Sequence, residues 1–290
     1  MGRSGGSPGQ HGAGRAVKER PSFPARLNTG GTSTGPARTV RAPVPAPAPA
    51  SRATAQRPAT VAPAAPGAGQ AMASSAVRAR MVHKLAAQGI ADARVLDAMG
   101  TIERHRFVDS ALVNQAYEDT SLPIGLAQTI SKPSVVARMV ELLLGAPALV
   151  GRPEARLGRV LEIGTGCGYQ AAVLGRVADE VYSIERLRGL NERARANLRH
   201  FRLANVHLML GDGMLGYPKG APYAAIIAAA GGDAVPDAWV AQLAVGGRIV
   251  APTRSAQGGQ ALVVIDRTNA GVHRRVLEAV NFVPLKSGIA

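Results

Sequence analysis

Gly164, Gly166 and Gly168 stand at alternate positions directly behind the apolar run Val160-Leu161-Glu162-Ile163, with Thr165 and Cys167 between them. Glycines so placed let backbone approach a ligand that side chains would hold off, and they accept the positive φ that a tight turn after a strand demands. A dinucleotide fingerprint would have glycine at 169, where this chain has Tyr169, and no Gly-Lys-Ser/Thr follows. Nicotinamide, flavin and triphosphate ligands are therefore disfavoured. Glu185 closes the next apolar stretch, 17 residues beyond Gly168, where an α/β sheet presents a carboxylate to ribose hydroxyls. Asp212, followed by Gly213, closes a third stretch, where the adenine amino group of such a ligand would lie. Glu162 sits inside the first stretch, an expensive place for a bare carboxylate unless a cation faces it.

An adenosine ligand with positive charge and no phosphate satisfies the whole set, and S-adenosyl-L-methionine, with a sulfonium and an ammonium, is such a ligand. The expected cosubstrate residues are Glu162, Gly164, Thr165, Gly166, Gly168, Glu185, Asp212 and Gly213. Each has an ordinary alternative. Glycine turns after strands are common, Glu185 can pair in solvent with Arg186 or Arg188, and Asp212-Gly213 alone is a simple turn. Their order and spacing together decide for the ligand. Cys167 could be suspected of nucleophilic catalysis, but a thiol inside a glycine turn reads better as a small space-filler. His83, His105, His200 and His207 are scattered without metal-ligand spacing, so no metal is expected.

These residues need a scaffold that delivers strand ends to one place. Residues 158–163, 181–185, 206–210, 223–229, 247–251 and 261–266 read as strands, and a last one covers 276–282. Helices follow at 169–177, along Leu187, Leu190, Ala194, Leu198 and Phe201, and at 236–243. The alternation predicts an α/β, doubly wound, largely parallel sheet of the seven-stranded type, with its ligand crevice at the carboxyl ends of the strands. Ahead of it, helices are expected over 76–88, over 92–103 behind the N-cap Asp92, and over 134–144 behind Pro133, with an irregular piece at 117–132. The domain thus divides into an N-terminal helical and substrate-loop part, 76–150, and a sheet part, 158–285.

Residues 1–75 differ in kind. They hold nine basic residues against the single acid Glu19, +8 of the chain's +15, and 11 of its 20 prolines. Such a segment buries too little apolar surface to offset its ordering entropy, and disorder is expected up to about residue 75. A transit peptide and a translation start at Met72 are both compatible with it. No run approaches the about 18 consecutive apolar residues of a membrane span. With Cys167 as the one cysteine, no internal disulfide can form, which suits a cytoplasmic protein.

Four segments carry a more specific likeness: residues 103–108 (Glu-Arg-His-Arg-Phe-Val), Leu122-Pro123-Ile124-Gly125 with Gln128-Thr129-Ile130-Ser131-Lys132-Pro133, the run Val160 to Gln170, and Phe282-Val283-Pro284-Leu285. Over residues 77–285 the chain resembles the protein-L-isoaspartate (D-aspartate) O-methyltransferases, class I methyltransferases of Rossmann-like fold. The resemblance implies methyl transfer from S-adenosyl-L-methionine to the free carboxylate of L-isoaspartyl residues in damaged proteins and peptides, the first step of their repair. It carries the active-site serine onto Ser131, and places Thr129, Leu122, Pro123, Ile124 and Gly125 around the acceptor peptide. Ser131 is expected to donate a hydrogen bond to the acceptor carboxylate, although a serine two residues before Pro133 could instead cap the next helix. The chain departs from the family at Ser121, usually proline; at Cys167, usually serine; at Leu126-Ala127, usually more polar or glycine; and at Ala224, usually aspartate. The rival is a nucleic-acid methyltransferase, suggested by the basic balance. Against it stand an aromatic content of 3% and the lack of an Asn/Asp-Pro-Pro-aromatic loop. Nucleic-acid contact by the basic tail is a separate possibility.

Overall fold

A computed structural model describes residues 68–290. The segment before it, where disorder was expected, lies outside the described residues. Helix α1 spans Ala68–Ala87, so it begins eight residues earlier than the apolar periodicity suggests. Helix α2, Ala93–Thr101, starts where predicted, with Asp92 accepting from the Arg94 N–H. The piece read as irregular contains a small antiparallel hairpin, β1 (Leu122–Gly125) and β2 (Gln128–Ile130), ahead of α3 (Pro133–Leu144). Then follow β3 (Leu157–Ile163), α4 (Tyr169–Val177), β4 (Ala178–Glu185), α5 (Arg188–Leu198), β5 (Val206–Leu210), β6 (Tyr223–Ala228), α6 (Asp237–Gln242), β7 (Leu243–Arg254), β8 (Gln260–Thr268) and β9 (Gly271–Val280).

Seven strands form one sheet in the order β5-β4-β3-β6-β7-β8-β9. The first five are parallel neighbours, and β8 and β9 add antiparallel at one edge. Strand order reverses at β3, whose neighbours are β4 and β6, and ligands bind such sheets at that switch point, beyond the carboxyl ends. Alternation of side chains along each strand divides the core in two. Val160, Val181, Ile227, Val250 and Val264 face the crowded side, against Leu85, Met99, Met139, Leu174 and Leu198 of α1–α5. Leu161, Ile163, Ile226, Ile249 and Val263 face the other side, which α6 covers with Trp239. The Trp239 indole N–H donates to the carbonyl of Gly213 at 2.8 Å, tying that face to the strand ends.

The segment ahead of the hairpin is fixed by Arg104. It is fully buried, donates to the carbonyls of Ala116 (2.8 Å) and Thr120 (3.4 Å), and lies 4.8 Å from the ring centre of Tyr169, the first residue of α4. Burial pushes the Tyr169 phenol up to about 12, so the ring stays neutral beneath the guanidinium. Arg193 of α5 holds the hairpin from the other side, donating to the Ile124 carbonyl at 2.7 Å. The hairpin is thereby anchored to the two helices that follow the glycine turn.

Candidate active site

The glycine turn follows β3 as its sequence demands. Gly164, Gly166 and Gly168 have φ of 90°, 56° and 92°, a region that disfavours other residues, and Gly168 leads into α4. A side chain at Gly166 would meet the Ile124 methyl at 3.2 Å. The turn, the end of β4, the hairpin and the segment 283–286 enclose a cavity of about 460 Å³, within the range of small-molecule sites. Gly164, Thr165, Gly166, Gly213, Glu185, Ile124, Thr129 and Ser131 all line it. One opening therefore joins the expected donor loop to the expected acceptor residues.

Glu185 has both carboxylate oxygens bonded: Oε2 accepts from Gly166 N–H and Oε1 from Leu187 N–H, each at 2.9 Å. It fixes the turn while facing the cavity. Each oxygen keeps a second lone pair, enough for one hydroxyl of a vicinal diol. Thr165 turns its hydroxyl down to Ser183 Oγ at 2.6 Å, and Ser183 donates to Glu162 Oε2. Glu162 is fully buried, its Oε1 has no hydrogen-bond partner among the described residues, and burial pushes its pKa up to about 8. Without a nearby cation it is mostly protonated at neutral pH.

Ser131 does not cap α3. The residue at the cap is Lys132, without a side-chain bond, and the Ser134 N–H at the start of the helix is taken by Asp119 Oδ1 at 2.9 Å. Asp119 Oδ2 accepts from the Ser134 hydroxyl at 2.8 Å. The Ser131 hydroxyl has no partner among the described residues and stands in the cavity wall. The helix capped by its own device leaves this serine free to bind something else.

The family model described as protein-L-isoaspartate(D-aspartate) O-methyltransferase (PCMT) matches residues 76–290. The chain belongs to this family. It is 57% identical over 223 residues to a protein-L-isoaspartate O-methyltransferase of Methylibium petroleiphilum, covering 76% of this chain and 81% of that one. A namesake from Leptothrix cholodnii is 59% identical over 225 residues, covering 76% and 77%. A solved protein-L-isoaspartate O-methyltransferase superposes with a TM-score of 0.64 at 28% identity, over 73% of this chain and 67% of that chain. A Plasmodium falciparum structure of the same description, in complex with S-adenosyl-L-homocysteine, has a TM-score of 0.61 at 21% identity, over 72% and 98%, and supports the fold alone.

Within this isoaspartate methyltransferase, six residues expected at the site stand outside the cavity wall: Leu122, Pro123, Gly125, Glu162, Gly168 and Asp212. Leu122 is core, paired across the hairpin with Ile130, and Pro123 and Gly125 are the outward positions of the same strand. Glu162 lies beneath the turn, linked to the cavity wall through Ser183 and Thr165 and close to the Gln170 amide. Asp212 Oδ1 accepts from Met214 N–H (2.9 Å) and Oδ2 from Gly288 N–H (2.6 Å). Conversely, Gln170 lines the cavity, as do Val283 and Lys286 of the last segment. The motif Phe282 to Leu285 marked that segment in sequence, but only the fold brings it across the site. The family departures fall in place too. Leu126 and Ala127 form the hairpin turn with φ of 50° and 55°, and Ala224 lies inside β6 against Gly158.

Proposed function

We propose that the cavity brings S-adenosyl-L-methionine, over the glycine turn, together with an L-isoaspartyl carboxylate held by the β1–β2 hairpin and Ser131. The protein is an S-adenosylmethionine-dependent protein-L-isoaspartate O-methyltransferase. The free hydroxyl of Ser131, in the same cavity as Gly164, Gly166 and Glu185, carries the residue assignment.

The donor fits the residues present. The turn offers backbone with no Cβ in the way, Glu185 offers spare lone pairs for the ribose, and Gly213 stands at the same wall. S-adenosyl-L-methionine supplies an electrophilic sulfonium methyl. The acceptor carboxylate, with an ordinary pKa of about 4, is already ionised at neutral pH, so no general base is required. The protein's work is alignment and the removal of water. Ser131 donates to one carboxylate oxygen and leaves the other to attack, with Thr129 beside it on the hairpin. Glu162, through Ser183 and Thr165, positions the turn and offers a negative charge that a cationic donor would call out.

Incubating the full chain with methyl-labelled donor and paired peptides that differ only in Asp or isoaspartyl tests the reading. Label on the isoaspartyl peptide alone is expected; equal or absent labelling of the pair would overturn it. Among the described residues no helix is long and apolar enough to cross a membrane. A cytoplasmic location belongs to the same proposal, and cell fractionation checks it. The +8 of residues 1–75 supports a further element, contact with nucleic acid, which requires salt-sensitive RNA binding that survives in residues 1–75 alone.

A further inference from the structure

The outward face of α5 is largely arginine. Arg188, Glu192, Arg195 and Arg199 follow one another at steps of four, three and four residues, one stripe of a helix, and Arg202 comes at the next step of three. The stripe ends at a groove of about 510 Å³ between the end of α5, the turn after it and the edge strand β5. Leu198, Leu203, Val206 and Leu208 make its apolar floor, and Arg195, Arg199 and Arg202 its rim. Arg195 is engaged, donating to Asn191 Oδ1 at 3.1 Å and to the Leu208 carbonyl at 2.5 Å. The side chains of Arg188, Arg199 and Arg202 are exposed and, among the described residues, have no ion-pair or hydrogen-bond partner. Arg202 is also held at φ 49°, a left-handed conformation that glycine adopts with less strain.

An apolar floor with a cationic rim suits a chain that alternates apolar side chains with carboxylates. No aromatic residue lines the groove to stack a base, which disfavours single-stranded nucleic acid. The same helix reaches the acceptor site: Leu187, just before it, and Leu190 line the cavity, and Arg193 holds the Ile124 carbonyl of the hairpin. The 11 residues of α5 rise about 16 Å, a span that about five residues of extended chain cover. A peptide whose isoaspartyl residue sits in the cavity can therefore lay its flanking residues along the stripe.

We propose that the arginine-rimmed groove is a second docking site for the substrate polypeptide, one that takes an acidic, apolar segment about five or more residues from the isoaspartyl residue. This rests on the acceptor being an isoaspartyl peptide. The test uses the full chain and three peptides sharing one isoaspartyl core: the core alone, the core extended on either side by an Asp/Leu segment, and the core extended by a Lys/Leu segment. The Asp/Leu extension is expected to lower KM about three- to tenfold relative to the core, with kcat unchanged, an advantage that shrinks as salt rises. The double variant Arg199→Glu, Arg202→Glu should abolish that advantage and leave kcat and KM for the core within twofold. Arg202→Gly suits the left-handed backbone, so it keeps the fold while removing one charge, and should lose part of the advantage. An acidic extension that gives no gain, or a gain that survives the double variant, overturns the docking site while methylation of the core leaves the acceptor assignment standing. If the double variant instead loses only affinity for single-stranded RNA, the groove is a nucleic-acid surface and the proposal fails. A core peptide that wild-type protein does not methylate removes the acceptor assignment, and the docking site with it.

Discussion

Glu162 should make the ligand-free protein lose stability as pH rises. Its carboxyl is wholly buried, and desolvation lifts its pKa from 4.5 to about 8, although the Ser183 hydroxyl and the nearby Gln170 amide pull the other way. Below pH 4.5 the group is protonated in the folded and unfolded chains alike, and its contribution to stability is complete. Between the two values the folded chain keeps a proton that the unfolded chain has released, so stability falls as pH climbs through that window. At about 1.4 kcal/mol per pH unit, the interval from 4.5 to about 8 is worth about 5 kcal/mol in all, of which about 3 kcal/mol is gone by pH 7. Glu162→Gln keeps the shape and removes the titration. Urea unfolding of both proteins at pH 5, 7 and 8.5 isolates the effect, because other groups cancel in the difference. The wild type should lose several kcal/mol relative to the variant across this range. Parallel curves would refute the reasoning. Binding of S-adenosyl-L-methionine supplies a second reading: a cation over the turn favours the carboxylate, so binding at pH 7 should release protons, seen as a calorimetric enthalpy that varies with the buffer in wild type but not in Glu162→Gln. A buffer-independent enthalpy in both would show that the donor's charge does not reach Glu162.

Ser131 and Asp119 should separate catalysis from capping. Ser131→Ala is expected to cut turnover about 10- to 100-fold, the value of a hydrogen bond to a charged group, with the melting temperature unmoved. Asp119→Ala should cost about 1 kcal/mol of stability as the first turn of α3 loses its cap, with turnover retained at low temperature; the opposite pattern in thermal melts and methylation rates would return Ser131 to the capping role. Ala127→Gly relieves a left-handed alanine at the hairpin turn and should raise stability by about 1 kcal/mol in denaturant titrations; a loss would mean that the Ala127 methyl packs usefully against the cavity.

What could be read from the sequence was set by the range of the forces involved. The strands and helices from Leu157 onward followed from periodicity, because burial on a two-sided sheet imposes it residue by residue. The β1–β2 hairpin did not, since strands of four and three residues are too short to show alternation. Its turn is built from Leu126-Ala127 rather than the glycine or asparagine that marks a left-handed turn. β7 begins at Leu243, four residues before the strand read from 247, because Gly246 and Gly247 pack close against Ala148 and the Ala224 carbonyl within it. Helix α1 begins among residues whose composition argued for disorder.

The site shows the same limit more sharply. A ligand at the carboxyl end of a parallel sheet sits above the strands, on neither face, so only residues from the last strand position onward can touch it. Ile163, Gly164 and Gly166 meet that condition, whereas Glu162, one step earlier, points with Val160 toward the helices and is linked to the wall through Ser183 and Thr165, with the Gln170 amide close by. Spacing located its position along the chain but could not assign its direction. Asp212 lies outside the cavity lining for a different reason. Its place at the end of β5 is the expected one, but its second oxygen is claimed by Gly288, 76 residues away, a partner no local pattern announces. The segment that makes this contact also carries Val283 and Lys286 into the cavity wall, so the same long-range closure that ties down Asp212 completes the enclosure at the strand ends.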